Sequence, residues 1–283
     1  MATRTWLKVG APIAVAALAA GAIAGAGRFV GDARSEDAPP SEPEAAPADA
    51  GAPAPEDAGR VDASWRYDDR GNLRRPPAEE DYVCRQPQLE IEQTEGCAAG
   101  RPYPACKWRL PDPPDGLYDI WRNTTDDHRW ARPGLVSLVL TAAAEYQRRW
   151  PGEHLTVGDL DAPGPRHQTH DRGVDVDLYL TEAMIARNEG GRRYPDNYEH
   201  RSRREVRSLR ARVMDLAKIL AVCADGRIRI YYNDPDLIHP FRAWYEERGL
   251  ETPFSHAMRM HNPLHRFHFH LSVPDDLAPL PAR

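Results

Sequence analysis

Two short stretches of this chain alternate apolar side chains with metal-binding ones, and that alternation constrains the fold more than anything else in it. The stretch VDVDLYL, from Val174 to Leu180, puts Val174, Val176 and Leu178 on one face of a strand and Asp175 and Asp177 on the other. In HFHLSV, from His268 to Val273, His268 and His270 share one face, while Phe267, Phe269 and Leu271 take the other. Each strand pattern caps a longer cluster, HQTHDRGVDVD from His167 to Asp177 and HRFHFH from His265 to His270, about ninety residues apart in sequence. Five of the chain's eleven histidines lie in these two clusters. Two apolar faces need one core, so both strands are expected in one small sheet that carries its chemistry on the polar side.

At 283 residues the chain has room for one large domain or two small ones. A net charge of −6 and the lack of a basic tract exclude a general affinity for nucleic acid or an anionic membrane surface. Arginines crowd the segment 192–212, where a solvated helix face is expected. Near the N-terminus, Arg4 and Lys8 precede an uncharged Ala/Gly-rich run over 9–27 that ends at Arg28. This pattern fits a cleaved export signal or an uncleaved membrane anchor over 1–31, and both lead out of the cytoplasm. Four cysteines (Cys84, Cys97, Cys106 and Cys223) agree with export and two disulfides, with three pairings open. A zinc knot lacks any CxxC spacing.

Composition divides the remainder. Residues 32–64 are Ala, Pro and acidic residues without core formers, and form an expected disordered spacer. Residues 65–125 are rich in proline and aromatics and hold three cysteines, so irregular structure packed on the catalytic body is expected. The domain proper is placed at 126–283. Apolar spacing predicts helices over 134–150, 205–222 and 237–248, and alternation predicts strands over 154–159, 174–180, 227–232 and 268–273. Helices interleaved with short strands define an α+β fold: a small, mainly antiparallel sheet carrying a zinc site, flanked by helices.

A zinc site that performs chemistry takes three protein ligands and leaves a fourth position to water. Two imidazoles and one carboxylate leave a centre of about +1 charge, which draws the pKa of bound water towards neutrality. His170, in the turn containing Gly173, together with Asp177 and His270 from two strands, is the set that one sheet can bring to a point. A lone H-x-H carries little weight. Its joint occurrence with H-x-x-H, a glycine turn and an aspartate pair among apolar neighbours carries much more.

The segments Val157–Leu180 and Leu264–Val273 resemble the penicillin-insensitive murein endopeptidases, within the wider lysostaphin and D-alanyl-D-alanine carboxypeptidase-like metallopeptidases. That signature is a histidine, six residues, an aspartate, then a downstream H-x-H, with extra histidines three before each element. His170, Asp177 and the pair His268 and His270 match it, and His167 and His265 match the extra positions. The resemblance spans roughly 130–275. It implies Zn²⁺ on His170, Asp177 and His270, with His268 as general base and His265 as a rival for that role. His167 and Asp175 would orient ligands or contact substrate, and Asp159 would have a supporting role. Gln168, Thr169, Asp171, Arg172, Arg266 and Phe267 depart from the residues usual around the motifs. The implied activity is hydrolysis of peptidoglycan stem-peptide cross-links, between D-alanine and meso-diaminopimelate, outside the cytoplasm. A D-Ala-D-Ala carboxypeptidase or dipeptidase, and a non-catalytic wall-binding module, are the alternatives.

Overall fold

The computed structural model describes residues 82–114, 116–162, 170–180, 183–184 and 202–282. The apolar N-terminal run, the acidic spacer and His167 lie outside the described residues. In chain order the elements are α1 (Glu95–Ala98), β1 (Trp108–Arg109), β2 (Tyr118–Ile120), β3 (Trp130–Ala131), α2 (Pro133–Arg149), β4 (Leu155–Val157) and β5 (Asp175–Tyr179). There follow α3 (Arg203–Cys223), β6 (Arg229–Tyr231), α4 (Pro235–Glu247), β7 (Met258–Arg259) and β8 (Phe269–Ser272). Six strands form a sheet in the order β2-β4-β5-β8-β6-β7, and β1 and β3 make a separate two-stranded ribbon.

The three central pairings (β4–β5, β5–β8 and β8–β6) are antiparallel, while the outer ones (β2–β4 and β6–β7) are parallel. The α+β expectation therefore holds, with a mixed sheet. Register turns the alternation into geometry. Asp177 lies opposite His270, His270 opposite Tyr231, and Tyr231 opposite Arg259. Two residues along, Asp175 lies opposite Ser272, and Ser272 opposite Arg229. These are two polar rows across neighbouring strands on one face. The intervening residues Val176, Leu178, Phe269, Leu271, Ile230 and Met258 are buried in one cluster with Leu138, Leu209, Val213, Leu216 and Leu220 of α2 and α3.

The helices form where their spacing predicts. Pro133 starts α2 at a position where its missing N–H costs nothing. A capping box starts α3: the Ser202 side chain accepts from the Glu205 amide, and the Glu205 carboxylate accepts from the Ser202 amide. Asp234 caps α4 through the Asp236 amide at 3.1 Å. Four strands escape the sequence pattern, β1 and β3 of the ribbon and β2 and β7 at the edges of the main sheet. β2 comes from the segment expected to be irregular, and β7 is two residues long, too short to show a period.

The cysteines pair as Cys84–Cys223 and Cys97–Cys106. The first bond fixes the N-terminal segment to the end of α3. Tyr82, two residues away, reinforces this attachment by donating to Asp215 at 3.1 Å. Asp215 also accepts from Arg149 Nε at 2.7 Å and from Trp150 Nε1 at 2.9 Å, which joins α3 to the end of α2. Beside it, Arg212 donates to Glu153 at 2.6 Å, and Glu153 accepts from Tyr146 at 2.7 Å. Residues 192–201 lie outside the described residues; Arg203, Arg204 and Arg207 are exposed, as a solvated face requires, but Arg212 is completely buried. A guanidinium tolerates that site because a carboxylate neutralises it and the Trp150 ring stacks against it. Asp215→Ala would leave Arg149 buried without its counter-ion. We expect a loss of about 3–5 kcal/mol in urea denaturation, and a loss below about 1 kcal/mol would refute the network's role.

Candidate metal centre

Three ligand atoms, one each from His170, Asp177 and His270, lie within 4.8 Å of one another. Asp177 Oδ1 is the hub, 3.5 Å from His170 Nε2, 3.1 Å from His270 Nδ1 and 3.5 Å from His268 Nε2. Asp177 and His270 meet because β5 and β8 are paired at those residues. His170 arrives from the turn before β5, and its carbonyl accepts from the Ala162 amide at 2.7 Å. Gly173 shapes that turn with φ +59, and a side chain there would strike the Tyr103 ring. Gly158 is constrained more mildly, by space alone. Its amide donates to the Asp177 carbonyl at 2.7 Å, and a Cβ would press on Asp177 Cβ at 3.1 Å.

The disulfide-braced segment supports the turn from outside. Tyr103 donates to Asp161, Lys107 pairs with Asp161 at 2.9 Å, and Arg132 lies over the Tyr103 ring at 4.6 Å. Arg132 in turn holds the Gly173 carbonyl through its amide at 2.9 Å.

A second layer fixes the ligands. The outer nitrogen of His270, Nε2, lies 3.2 Å from Asp175 Oδ1, and Ser272 donates to the same oxygen at 2.6 Å. A carboxylate behind a ligating imidazole sets its tautomer and ring orientation. Aromatic rings border the site on both sides. Tyr179 stacks on Trp121 at 4.6 Å and tilts onto His268 at 4.9 Å. Across the site, Tyr231 lies 5.7 Å from the His270 ring, 5.5 Å from His265 and 4.3 Å from His261. His261 and His265 approach through their Nδ1 atoms at 3.2 Å.

The charges follow from this packing. Burial alone would raise the Asp177 carboxyl, but hydrogen bonds from His170 and His270 outweigh it and hold the group well below the ordinary carboxylate range. Burial likewise disfavours charge on His270. Its hydrogen bonds to Asp175 and Asp177 reverse that and raise it to about 9. Burial, then the neighbouring His268, His270 and His261, push His265 down to about 2, and burial also lowers His268. The carboxylates thus draw positive charge to the ligand position, while the adjoining imidazoles stay neutral.

His170, Asp177, His270, His268, His265 and Asp175 therefore converge. Asp159 pairs with His128 Nδ1 at 3.2 Å, and its carbonyl faces the Asp177 amide at 3.4 Å, one step behind the ligands. Sequence pattern alone missed Tyr179, Ser272, Tyr231 and His261. Alternation puts Tyr179 on the face of Asp177 and Ser272 on that of His270, but finding Tyr231 and His261 needed the strand order. No known protein family, curated protein or solved structure matches this chain, so the case for the centre rests on its geometry.

Replacing His170, Asp177 or His270 by alanine is expected to remove stoichiometric metal in elemental analysis, whereas His265→Ala keeps it. The raised His270 holds a proton at any pH below about 9, and an incoming metal must displace it. Metal affinity should therefore rise with pH up to that point and fall in acid. Titration in buffers of different ionisation enthalpy should show proton release at pH 7, and no release would contradict the assignment.

Proposed function

We propose that this protein is an exported zinc metalloendopeptidase that hydrolyses peptide cross-links in peptidoglycan, at the bond between D-alanine and meso-diaminopimelate. The observation that carries this reading is the convergence of His170, Asp177 and His270 beside two further buried imidazoles, His268 and His265. Two nitrogens and one carboxylate oxygen form a donor set suited to zinc, and three protein ligands would leave a fourth position to water. The resemblance of both motifs to murein endopeptidases supports the substrate class. Two disulfides are in keeping with an oxidising compartment such as the periplasm. The uncharged N-terminal run supplies the export signal or tethers the enzyme to the inner membrane.

A zinc ion bound at this centre would supply Lewis acidity and a water acidified towards neutral pH. Side chains of this protein supply the rest. Asp175 holds the His270 ring through Nε2, keeping Nδ1 turned to the centre. His268, with Nε2 3.5 Å from the hub oxygen, would accept a proton from the attacking water and return it to the departing amine. His265 is turned towards His261 instead, and a neutral imidazole there suits hydrogen bonding to the oxygen of the tetrahedral species. Trp121 and Tyr179 form a wall on which a stem peptide can rest.

Purified sacculi test the proposal directly. The protein should carry about one zinc and release soluble fragments in a chelator-sensitive manner. His170→Ala should lose both properties. His268→Ala should keep zinc and lose roughly 10²- to 10⁴-fold in turnover. Disappearance of cross-linked muropeptide dimers is the expected product pattern. Loss of terminal D-alanine alone would replace the endopeptidase by a carboxypeptidase, and zinc without any digestion would leave a wall-binding module.

A further inference from the structure

The polar row that begins at Asp177 does not end with the metal ligands. It continues through His270 and Tyr231 to Arg259 on β7, at the edge of the sheet. There Arg259 Nη2 donates to the Tyr231 hydroxyl at 3.1 Å, with the guanidinium 5.1 Å from the ring centre. A second guanidinium, that of Arg229, lies 4.9 Å from the same ring and donates to Ser272 Oγ at 2.9 Å. Two cations therefore share one tyrosine, next to the buried imidazoles.

Most half-buried or buried arginines of this fold face a carboxylate: Arg149 faces Asp215, Arg212 faces Glu153, and Arg210 faces Asp234. Among the described residues, neither Arg229 nor Arg259 has one, and the Nε atom of each is buried without a hydrogen-bond partner. Two neighbouring cations, each half-buried with its Nε shielded from water and without a counter-ion, are costly, and that cost falls if an anion binds between or beside them. The surroundings are accessible. His261 is exposed, and Met260 and Leu264 are exposed apolar side chains on the same connection.

We propose that Arg259, assisted by Arg229 and the Tyr231 hydroxyl, binds a free carboxylate of the substrate on the residue that leaves as the amine. The inference rests on the metallopeptidase reading and adds a specificity element to it. A planar guanidinium takes a carboxylate through two parallel hydrogen bonds, which fixes orientation as well as charge. Arg259 stands two strands from His270, roughly 10 Å between backbones, with its guanidinium beside the Tyr231 ring that separates them. Arg229, on the nearer strand β6, shortens the reach that a carboxylate on the leaving residue has to make.

The test compares a cross-linked muropeptide dimer with free carboxylates on its diamino-acid residue and the same dimer amidated there. The zinc-loaded wild type should prefer the free acid by about 10- to 100-fold in kcat/KM, mostly through KM. Arg259→Gln should lose most of that preference while treating the amide much as the wild type does, and Arg259→Lys should recover part of it. Near-ultraviolet circular dichroism and thermal melting check that both variants fold. If neither dimer is cleaved, calorimetric titration gives the affinities instead. Acid-selective binding lost in Arg259→Gln would then uphold the subsite and reject the hydrolase. Equal losses on acid and amide, or binding indifferent to amidation, would overturn the subsite and make Arg259 a positioning residue for Tyr231.

Discussion

The register of β5 against β8 is the constraint on which the rest of this structure depends. Side chains in a strand alternate with period two, so a slip of one residue would turn Asp177 and His270 into the core and bring Val176 and Leu271 to the surface. The apolar faces forbid that slip, since Val176, Leu178, Phe269 and Leu271 together fill the space beneath α2 and α3. The energy that fixes the geometry of this candidate metal centre is therefore mostly hydrophobic burial on the opposite side of the sheet. Ligands as polar as these could not hold themselves in place.

Much of this was legible in the chain because period two and period 3.6 are strong signals. The seven main elements sit close to where apolar spacing puts them, and the ligand set follows from alternation plus one glycine turn. What stayed hidden depends on which strands become neighbours. Tyr231 lies in RIRIYY, where alternation assigns its face but not its partner, and the pairing with His270 arises from the β8–β6 contact. Arg212 departs from the expected solvated face for a similar reason. Its charge favoured solvent, yet Glu153 and Trp150, distant in sequence, make a buried place for it.

The N-terminal segment does more than wrap the domain. Cys84 ties it to α3, Tyr82 completes the Asp215 network, and Tyr103 and Lys107 hold Asp161 beside the turn that carries His170. The one ligand outside regular structure is thus braced by the least regular part of the described chain. Precision at His170 comes from contacts on several sides of the turn, as a site held on a loop requires.

The polar rows crossing β5, β8, β6 and β7 work as a ruler whose graduations are peptide hydrogen bonds. Neighbouring backbones cannot be brought nearer or moved apart without breaking the ladder, so the interval between Asp177 and Arg259 is set by the architecture rather than by side-chain length. Evolution can change what is written at each mark by exchanging single residues. Shifting the marks themselves would mean rebuilding the sheet.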